Sequence, residues 1–87
     1  MSENNKISLE IADLRRASAL VAHFGRDDAE GVHAVLQETV DARRTTQLLL
    51  AVLDLYNQIV PELRTPLGMS LMSSHILRLA GLEEVEQ

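Results

Sequence analysis

The chain has no cysteine and almost no aromatic residues, and each shortage excludes a class of structure. Without cysteine it has neither a disulfide framework nor a thiolate metal site. Phe24 and Tyr56 are its only aromatic side chains. The other apolar residues are Leu, Val, Ile, Ala and Met, a set that we read as typical of helices rather than strands. These shortages predict an all-α protein without a cofactor.

Long hydrophobic runs are missing as well. No stretch of 18 apolar residues occurs, so we expect no segment to span a membrane. The first ten residues, MSENNKISLE, are polar and lack the apolar centre of a signal peptide. We therefore expect a cytoplasmic protein that has no membrane partner.

Positive charge is scarce and scattered. Eight Lys and Arg residues stand against 13 Asp and Glu, which gives a net charge of −5. The only adjacent basic pairs are Arg15-Arg16 and Arg43-Arg44, and we interpret both as solvated helix ends or faces. Affinity for nucleic acid comes from clustered Lys and Arg that neutralise phosphates. No nucleic-acid partner is therefore expected.

The length of the chain, 87 residues, is that of one domain, predicted over 1–87. Burial of apolar surface contributes on the order of 130 kcal/mol to a chain of this size. Ordering the residues at about 1.5 kcal/mol each costs about the same. A lone copy is therefore marginal, and a partner chain is the remaining source of stability.

The first helix is predicted over 8–24, after a polar arm at 1–6. The segment KISLEI alternates apolar and polar residues, as a short strand would. A helix fits a longer stretch, because five apolar residues share one helical face: Ile7, Ile11, Leu14, Val21 and Phe24. Ser8 is a plausible N-cap and Gly25 a C-terminal stop.

The second helix is predicted over 28–42. Asp27 precedes Glu30 by three residues, the spacing of a capping box. An apolar stripe follows on one face: Val32, Val35, Leu36, Thr39 and Val40. Gly31 weakens the first turns and indicates a close helix crossing.

The third helix is predicted over 46–60, within TQLLLAVLDLYNQIV. At 100° per residue, the stripe of the second helix continues onto polar residues of this segment, so we expect a break around 42–45. Gln47, Asp54 and Gln58, with Ala51 among them, form its predicted wet side. The opposite apolar arc includes Leu53 and is wide enough to require packing on two sides, as in a central helix.

The fourth helix is predicted over 66–80, after a PELR turn. Thr65 is its expected N-cap, Pro66 its first residue and Gly81 its stop, with an acidic tail at 82–87. The sequence therefore predicts a small antiparallel all-α bundle of about four helices, at approximately 8–24, 28–42, 46–60 and 66–80.

One spacing is compatible with metal chemistry. Glu30 and His33 form a Glu-x-x-His unit, and di-iron bundles use two such units with two further Glu. A dimer could supply the second unit, with Glu10 or Glu38 completing the set, so a dimeric metal-dependent enzyme is one alternative. The simpler interpretation is that Glu30 caps the helix and His33 faces solvent. We assign no catalytic, cofactor or metal residue and expect no enzyme.

A second alternative is a DNA-binding transcriptional regulator. Gly68, Met69 and Ser70 resemble the turn of a helix-turn-helix protein. The similarity then ends, because Ser74 stands where an apolar anchor is expected and Arg78 is the only basic residue of the segment. An amphipathic helix fits better, with a core side formed by Met69, Met72, Ile76 and Leu79.

The third and fourth helices carry more apolar surface than one bundle uses. Methionine suits irregular contact surfaces, and a tyrosine anchors interfaces with an apolar body and a polar tip. We therefore predict a protein–protein interaction module that forms a homodimer or hetero-complex, as a regulatory adapter or inhibitor. The contact candidates are Leu50, Tyr56, Leu71 and Met72. In composition the chain is similar to small Ala/Leu/Arg-rich helical proteins of high-GC bacteria and their phages.

Overall fold

The computed structural model describes residues 8–86, and the regular structure in this range is entirely helical. Its elements are α1 (Ile11–Gly25), α2 (Ala29–Asp41), α3 (Thr45–Ile59), a short 3-10 turn (Pro61–Arg64) and α4 (Pro66–Glu86). The predicted all-α class is confirmed. The expected polar arm at 1–6 lies outside the described residues. Within the described range, no helix combines the length and the apolar character that crossing a membrane requires.

The described residues fall into two compact units, which we call the first unit (through Tyr56) and the second unit (from Asn57). In the first unit α1 packs against α2, and a small core joins α1 to α3 through Ala17, Leu48 and Ala51. In the second unit α4 packs against the 3-10 turn. The expectation of one domain over 1–87 stays a prediction.

The start of α1 differs from the prediction. The helix begins at Ile11 rather than at residue 8, and its N-cap is Glu10. The Glu10 amide donates to Asp13 Oδ2 at 2.7 Å, and this capping-box hydrogen bond closes the first turn of α1. Ser8 is not the cap; its carbonyl instead accepts a hydrogen bond from Arg44 Nη2. The helix ends at Gly25, one residue beyond the predicted end at 24, and Arg26 is its C-cap.

The start of α2 is one residue later than its sequence signal suggested. Asp28 is the N-cap, and its Oδ1 accepts the Gly31 amide at 3.0 Å. The expected cap, Asp27, instead adopts a left-handed conformation with φ 57° in the turn after α1. The close crossing expected at Gly31 is confirmed, because any side chain there would collide with the His23 ring at the end of α1.

The break between α2 and α3 is confirmed. The second helix ends at Asp41, Arg43 has a left-handed φ of 59°, and α3 begins at Thr45. Since the two helices have separate axes, each turns its own face toward α1.

The buried faces of α1 and α3 are not the ones expected. On α1 the buried residues are Asp13, Arg16 and Ala17, whereas the expected core residue Ile11 is 84% exposed. On α3 Ala51 is fully buried although it was placed on the wet side, and Leu53 is 60% exposed. Within the first unit α3 therefore packs through Leu48 and Ala51 rather than through Leu53, and its packing on two sides as a central helix stays a prediction. Alanines where the helices meet allow a closer approach than large side chains do, because interaxial distance depends on the residues in contact.

The last helix begins as expected and ends later. Thr65 Oγ1 accepts the Gly68 amide at 3.1 Å, which confirms its role as N-cap before Pro66. Gly68 also lets the first turn of α4 approach the Glu62 carbonyl of the 3-10 turn. The helix continues through Gly81 to Glu86, because one interior glycine costs only about 1 kcal/mol. The acidic segment after residue 81 is therefore helical through Glu86.

Candidate interaction surface

The first unit contains a groove with apolar walls from all three of its helices. Its volume is about 270 Å³. We call it the apolar groove and define it by its lining residues: Leu20, Val21 and Phe24 of α1, Val32 and Leu36 of α2, and Val52 and Tyr56 of α3. Such a groove offers several apolar contacts to one elongated ligand.

One end of the apolar groove is acidic. A neighbouring cavity of about 450 Å³ shares Phe24, Val32 and Leu36 with it and extends to Asp27 and Asp28. The Gly31 amide, which donates to Asp28, is the main cause of a lowered pKa for that carboxyl, and His23 contributes. The lowered pKa keeps Asp28 ionised, so this end is negative at neutral pH.

The walls of the groove follow from helical periodicity. Val32, Leu36 and Val40 recur every four residues and share one face of α2. On α3, Leu49 and Tyr56 are seven residues apart and also share a face. Leu36, Val40, Leu49 and Tyr56 are all exposed. An apolar strip therefore extends along α2 and α3 beyond the groove itself.

Few large apolar residues are buried and many are exposed, which inverts the distribution found with an ordinary hydrophobic core. Among residues 8–86, the buried apolar residues are only Ala17, Val35, Leu48 and Ala51. Nineteen large apolar residues in the same range are exposed, from Ile11 to Val85. Apart from Val35 and Leu48, the large apolar side chains of the first unit are therefore at least partly exposed.

An ion-pair network centred on the buried Asp13 connects the three helices that carry the groove. Asp13 accepts two hydrogen bonds from Arg44, from Nε to Oδ1 at 3.2 Å and from Nη2 to Oδ2 at 2.7 Å. Arg44 precedes α3, so this pair ties the start of α1 to the start of α3. The hydrogen bonds from Arg44, with that from the Glu10 amide, lower the pKa of Asp13 to about 2. The Asp13 carboxylate in turn raises the pKa of Arg44.

A second part of the network ties α1 to α2. Arg16 Nε donates to Glu38 Oε2 at 2.8 Å, and its Nη1 lies 3.6 Å from Asp13 Oδ1. Arg15 Nη2 donates to the same Glu38 oxygen at 2.6 Å. These bonds, with that from Arg15 the largest cause, lower the pKa of Glu38.

The sequence interpretation of both arginine pairs was therefore incomplete. Arg15 and Arg43 are exposed, but Arg16 is buried and Arg44 is half-buried. The sequence contains a signal for this ion pairing. Asp13, Arg16 and Ala17 are spaced three and four residues apart, so an acid, a base and an alanine share one face of α1.

In the second unit, α4 buries none of its residues. Its apolar side chains form two stripes about 130° apart round the helix. One stripe, expected from the sequence, contains Met69, Met72, Ile76 and Leu79, and we call it the Met stripe. The other contains Leu67, Leu71, Leu82 and Val85. A helix that is apolar on two sides requires packing on two sides.

The contact candidates from the sequence lie on different faces of their own helices, and their role as partner contacts stays a prediction. Tyr56 lines the apolar groove, whereas Leu50 is half-buried about 120° away on α3. Met72 belongs to the Met stripe and Leu71 to the other stripe of α4. Leu36, Val32 and Phe24 were not among the candidates, although the four-residue repeat of α2 was visible.

The Glu30/His33 pair does not assemble a metal centre with other residues of the described range. Both side chains are exposed, and residues 8–86 contain no group of three or more His, Cys, Asp and Glu side chains placed to hold a metal ion. Glu38, one proposed completing ligand, binds Arg15 and Arg16 instead. The other, Glu10, lies 3.8 Å from Arg44 Nη1.

Comparison with known proteins gives no relative: no family model, curated protein or solved structure matches this chain.

Proposed function

We propose that this protein is a non-catalytic protein–protein interaction module that binds an α-helix of its partner in the apolar groove. As a small adapter or inhibitor, it regulates the partner by occupying that helix. The observation that carries the proposal is the groove itself, an open depression with apolar walls from α1, α2 and α3. Helix-in-groove binding uses such a surface, with apolar anchors at i, i+3, i+4 and i+7 on the ligand.

The inverted distribution of apolar residues supports the proposal. Val35 and Leu48 are the only large aliphatic residues that are buried within 8–86. Each large side chain moved from water into an interface contributes about 1.5–3 kcal/mol. A partner helix that covers Leu36, Phe24 and Tyr56 would therefore supply stabilisation that the core of the first unit lacks.

The charges favour a protein partner over a nucleic acid. Arg15, Arg16 and Arg44 are bound to carboxylates of the first unit. The acidic end of the groove and the net charge of −5 repel phosphates. We accordingly propose a cytoplasmic partner that presents a helix with an apolar face and a positively charged end.

The test is affinity capture from native cells with three forms of the full chain. Leu36→Glu places a charge in the groove, and Ile11→Glu places one on exposed apolar surface of α1 outside it. We expect one protein to be retained by the wild type and by Ile11→Glu but lost with Leu36→Glu. Circular dichroism must show equal helix content for the three forms.

Equal retention by all three folded forms contradicts the proposal, because binding would then not use the groove. Loss with both variants also contradicts it, since a non-specific apolar surface would explain that result.

A further inference from the structure

At the corner between α1 and α2, a histidine lies within hydrogen-bond distance of two side chains of opposite charge. His23 Nδ1 is 2.9 Å from Asp28 Oδ2 and 3.3 Å from Arg26 Nη2. A carboxylate accepts a hydrogen bond only from a protonated Nδ1, whereas a guanidinium donates only to an unprotonated Nδ1. The two contacts therefore require different states of the same nitrogen.

We infer that His23 is a proton-dependent switch at this corner, with Nδ1 bound to Asp28 when the ring is protonated and to Arg26 when the ring is neutral. In the imidazolium both ring nitrogens carry a proton, so Nδ1 donates to Asp28 and the positive ring repels Arg26. In the neutral ring with its proton on Nε2, Nδ1 accepts from Arg26 and Asp28 Oδ2 loses this donor. Histidine is the side chain whose charge ordinarily changes between about pH 5 and 8, so the exchange falls near physiological pH.

The ring and the carboxylate are held in place by the backbone around them. His23 lies in the last turn of α1, and its carbonyl accepts the Asp28 amide at 2.9 Å. Gly31 of α2 packs against the ring, and a Cβ at residue 31 would collide with both His23 Nδ1 and Asp28 Oδ2. Glycine at this position thus makes room for the pair. Since Arg26 is exposed, the exchange needs only a proton and the movement of one surface side chain.

Through Asp28 the switch acts on the start of α2 and on the charge beside the apolar groove. Asp28 Oδ1 accepts the Gly31 amide, and this bond is the main reason why the pKa of the carboxyl lies below its ordinary value of 3.8. Asp28 is therefore ionised wherever histidine titrates. It lines the cavity at the acidic end of the groove with the exposed Asp27 and His33. Protonation of His23 makes this end less negative, and loss of the proton makes it more negative.

The tautomer of the neutral ring is the first test. Imidazole nitrogen-15 chemical shifts of the full chain, assigned to His23 by comparison with His23→Gln, distinguish a protonated from an unprotonated Nδ1. We expect both ring nitrogens to be protonated at about pH 5 and only Nε2 at about pH 8. A neutral ring that keeps its proton on Nδ1 overturns the inference, because Asp28 would then retain its partner at every pH.

Removal of the competing cation is the second test. In Arg26→Ala the neutral ring has no guanidinium to accept from, so we expect its proton to move to Nδ1 and the bond to Asp28 to persist at about pH 8. Arg43→Ala removes an exposed arginine from the turn after α2 and should leave the tautomer as in the wild type. The same tautomer in Arg26→Ala as in the wild type contradicts the exchange.

The Gly31 amide provides the third test, because it reports on Asp28 and needs no partner protein. Its chemical shift in the wild type should follow the His23 titration between about pH 5 and 8. Asp28 itself titrates below this range, so it does not account for such a change. We expect His23→Gln to abolish the change and His33→Gln, which removes an exposed histidine of the same cavity, to retain it. A Gly31 shift that is constant over this range in the wild type, or that still changes in His23→Gln, overturns the inference.

Discussion

Alanine residues at positions 17 and 51 decide which faces of α1 and α3 are buried. Both are almost completely inaccessible, at 1% and 0% exposure. The large residues on the other faces of the same helices, Ile11 and Leu53, are consequently left in solvent. A ranking by hydrophobicity would place Ile11 and Leu53 in the core before the two alanines, which is the wrong order of burial. Burial depends on how well side chains fit together as well as on their apolar area.

This ranking can be tested with a matched pair of truncations in α3. Leu48 is 4% exposed and belongs to the core, whereas Leu53 is 60% exposed. We expect Leu48→Ala to lower the free energy of unfolding by about 2–5 kcal/mol, the usual value for a buried leucine. Leu53→Ala should lower it by less than about 1 kcal/mol. Urea denaturation at one protein concentration measures both, and equal losses would show that the two leucines are equally buried.

The ionised Asp13 carboxylate should make stability depend on acid pH. Its folded pKa of about 2 lies below the ordinary value of 3.8, because Arg44 and the Glu10 amide bind the ionised form. Its contribution to the free energy of unfolding is thus complete above about pH 4 and is lost as the pH falls toward 2. We expect Asp13→Asn to be less stable than the wild type at pH 7 and to lose less between pH 4 and pH 2.

Asp27→Asn is the control for this experiment, because Asp27 is an exposed acid in the turn before α2. Its unfolding curve should follow that of the wild type from pH 7 to pH 2. A wild type and an Asp13→Asn variant that lose stability in parallel would contradict the role assigned to Asp13.

At the level of the helices, the start of each described helix is set by hydrogen bonds that local sequence partly encodes. Thr65 and Pro66 began α4 where the sequence predicted, whereas α2 is capped by Asp28 rather than Asp27. Because Asp27 and Asp28 are adjacent, the local sequence does not show which of the two is the N-cap of α2. The choice depends on the His23 ring, which lies 2.9 Å from Asp28 Oδ2 and belongs to the preceding helix.

The cap of α4 is testable without disturbing the rest of the helix. Thr65→Ala removes the hydroxyl that accepts the Gly68 amide, which should lower the stability of the first turn by about 1 kcal/mol. Amide hydrogen exchange at Gly68 should become several-fold faster. Ser70→Ala changes an exposed hydroxyl one turn later and should leave that exchange rate unchanged. An unchanged rate in Thr65→Ala would mean that Thr65 does not cap the helix in solution.

At the level of the whole molecule, the homodimer that the sequence predicts makes stability depend on protein concentration. Each tenfold rise in concentration adds about 1.4 kcal/mol to the free energy of unfolding of a dimer. For a dimer of this size that raises the melting temperature by about 3–6 °C. We expect this rise for the wild type. Differential scanning calorimetry at 10 and 100 µM measures it, and concentration-independent melting of the wild type would exclude dissociation-coupled unfolding.

The sequence by itself determined the helical class, the separation of α2 from α3, and the Thr65 start of α4. These features depend on residues that are close together in the chain. A capping threonine and a proline at the first helical position set the start of α4, and the change in direction of the apolar stripe indicates the break between α2 and α3. The continuation of α4 through Gly81 was missed because the cost of one glycine is small compared with the propensity of the residues that follow it.

Only the tertiary structure decided which face of each helix is buried and where the apolar groove lies. Local periodicity shows that Leu53 and Ala51 are on different sides of α3, but not which side meets α1. That choice was made by Ala17 opposite Ala51 and by Asp13 with Arg44, residues that are 34 and 31 positions apart in the chain. Packing fit and buried ion pairing act across such separations, so no local pattern encodes them.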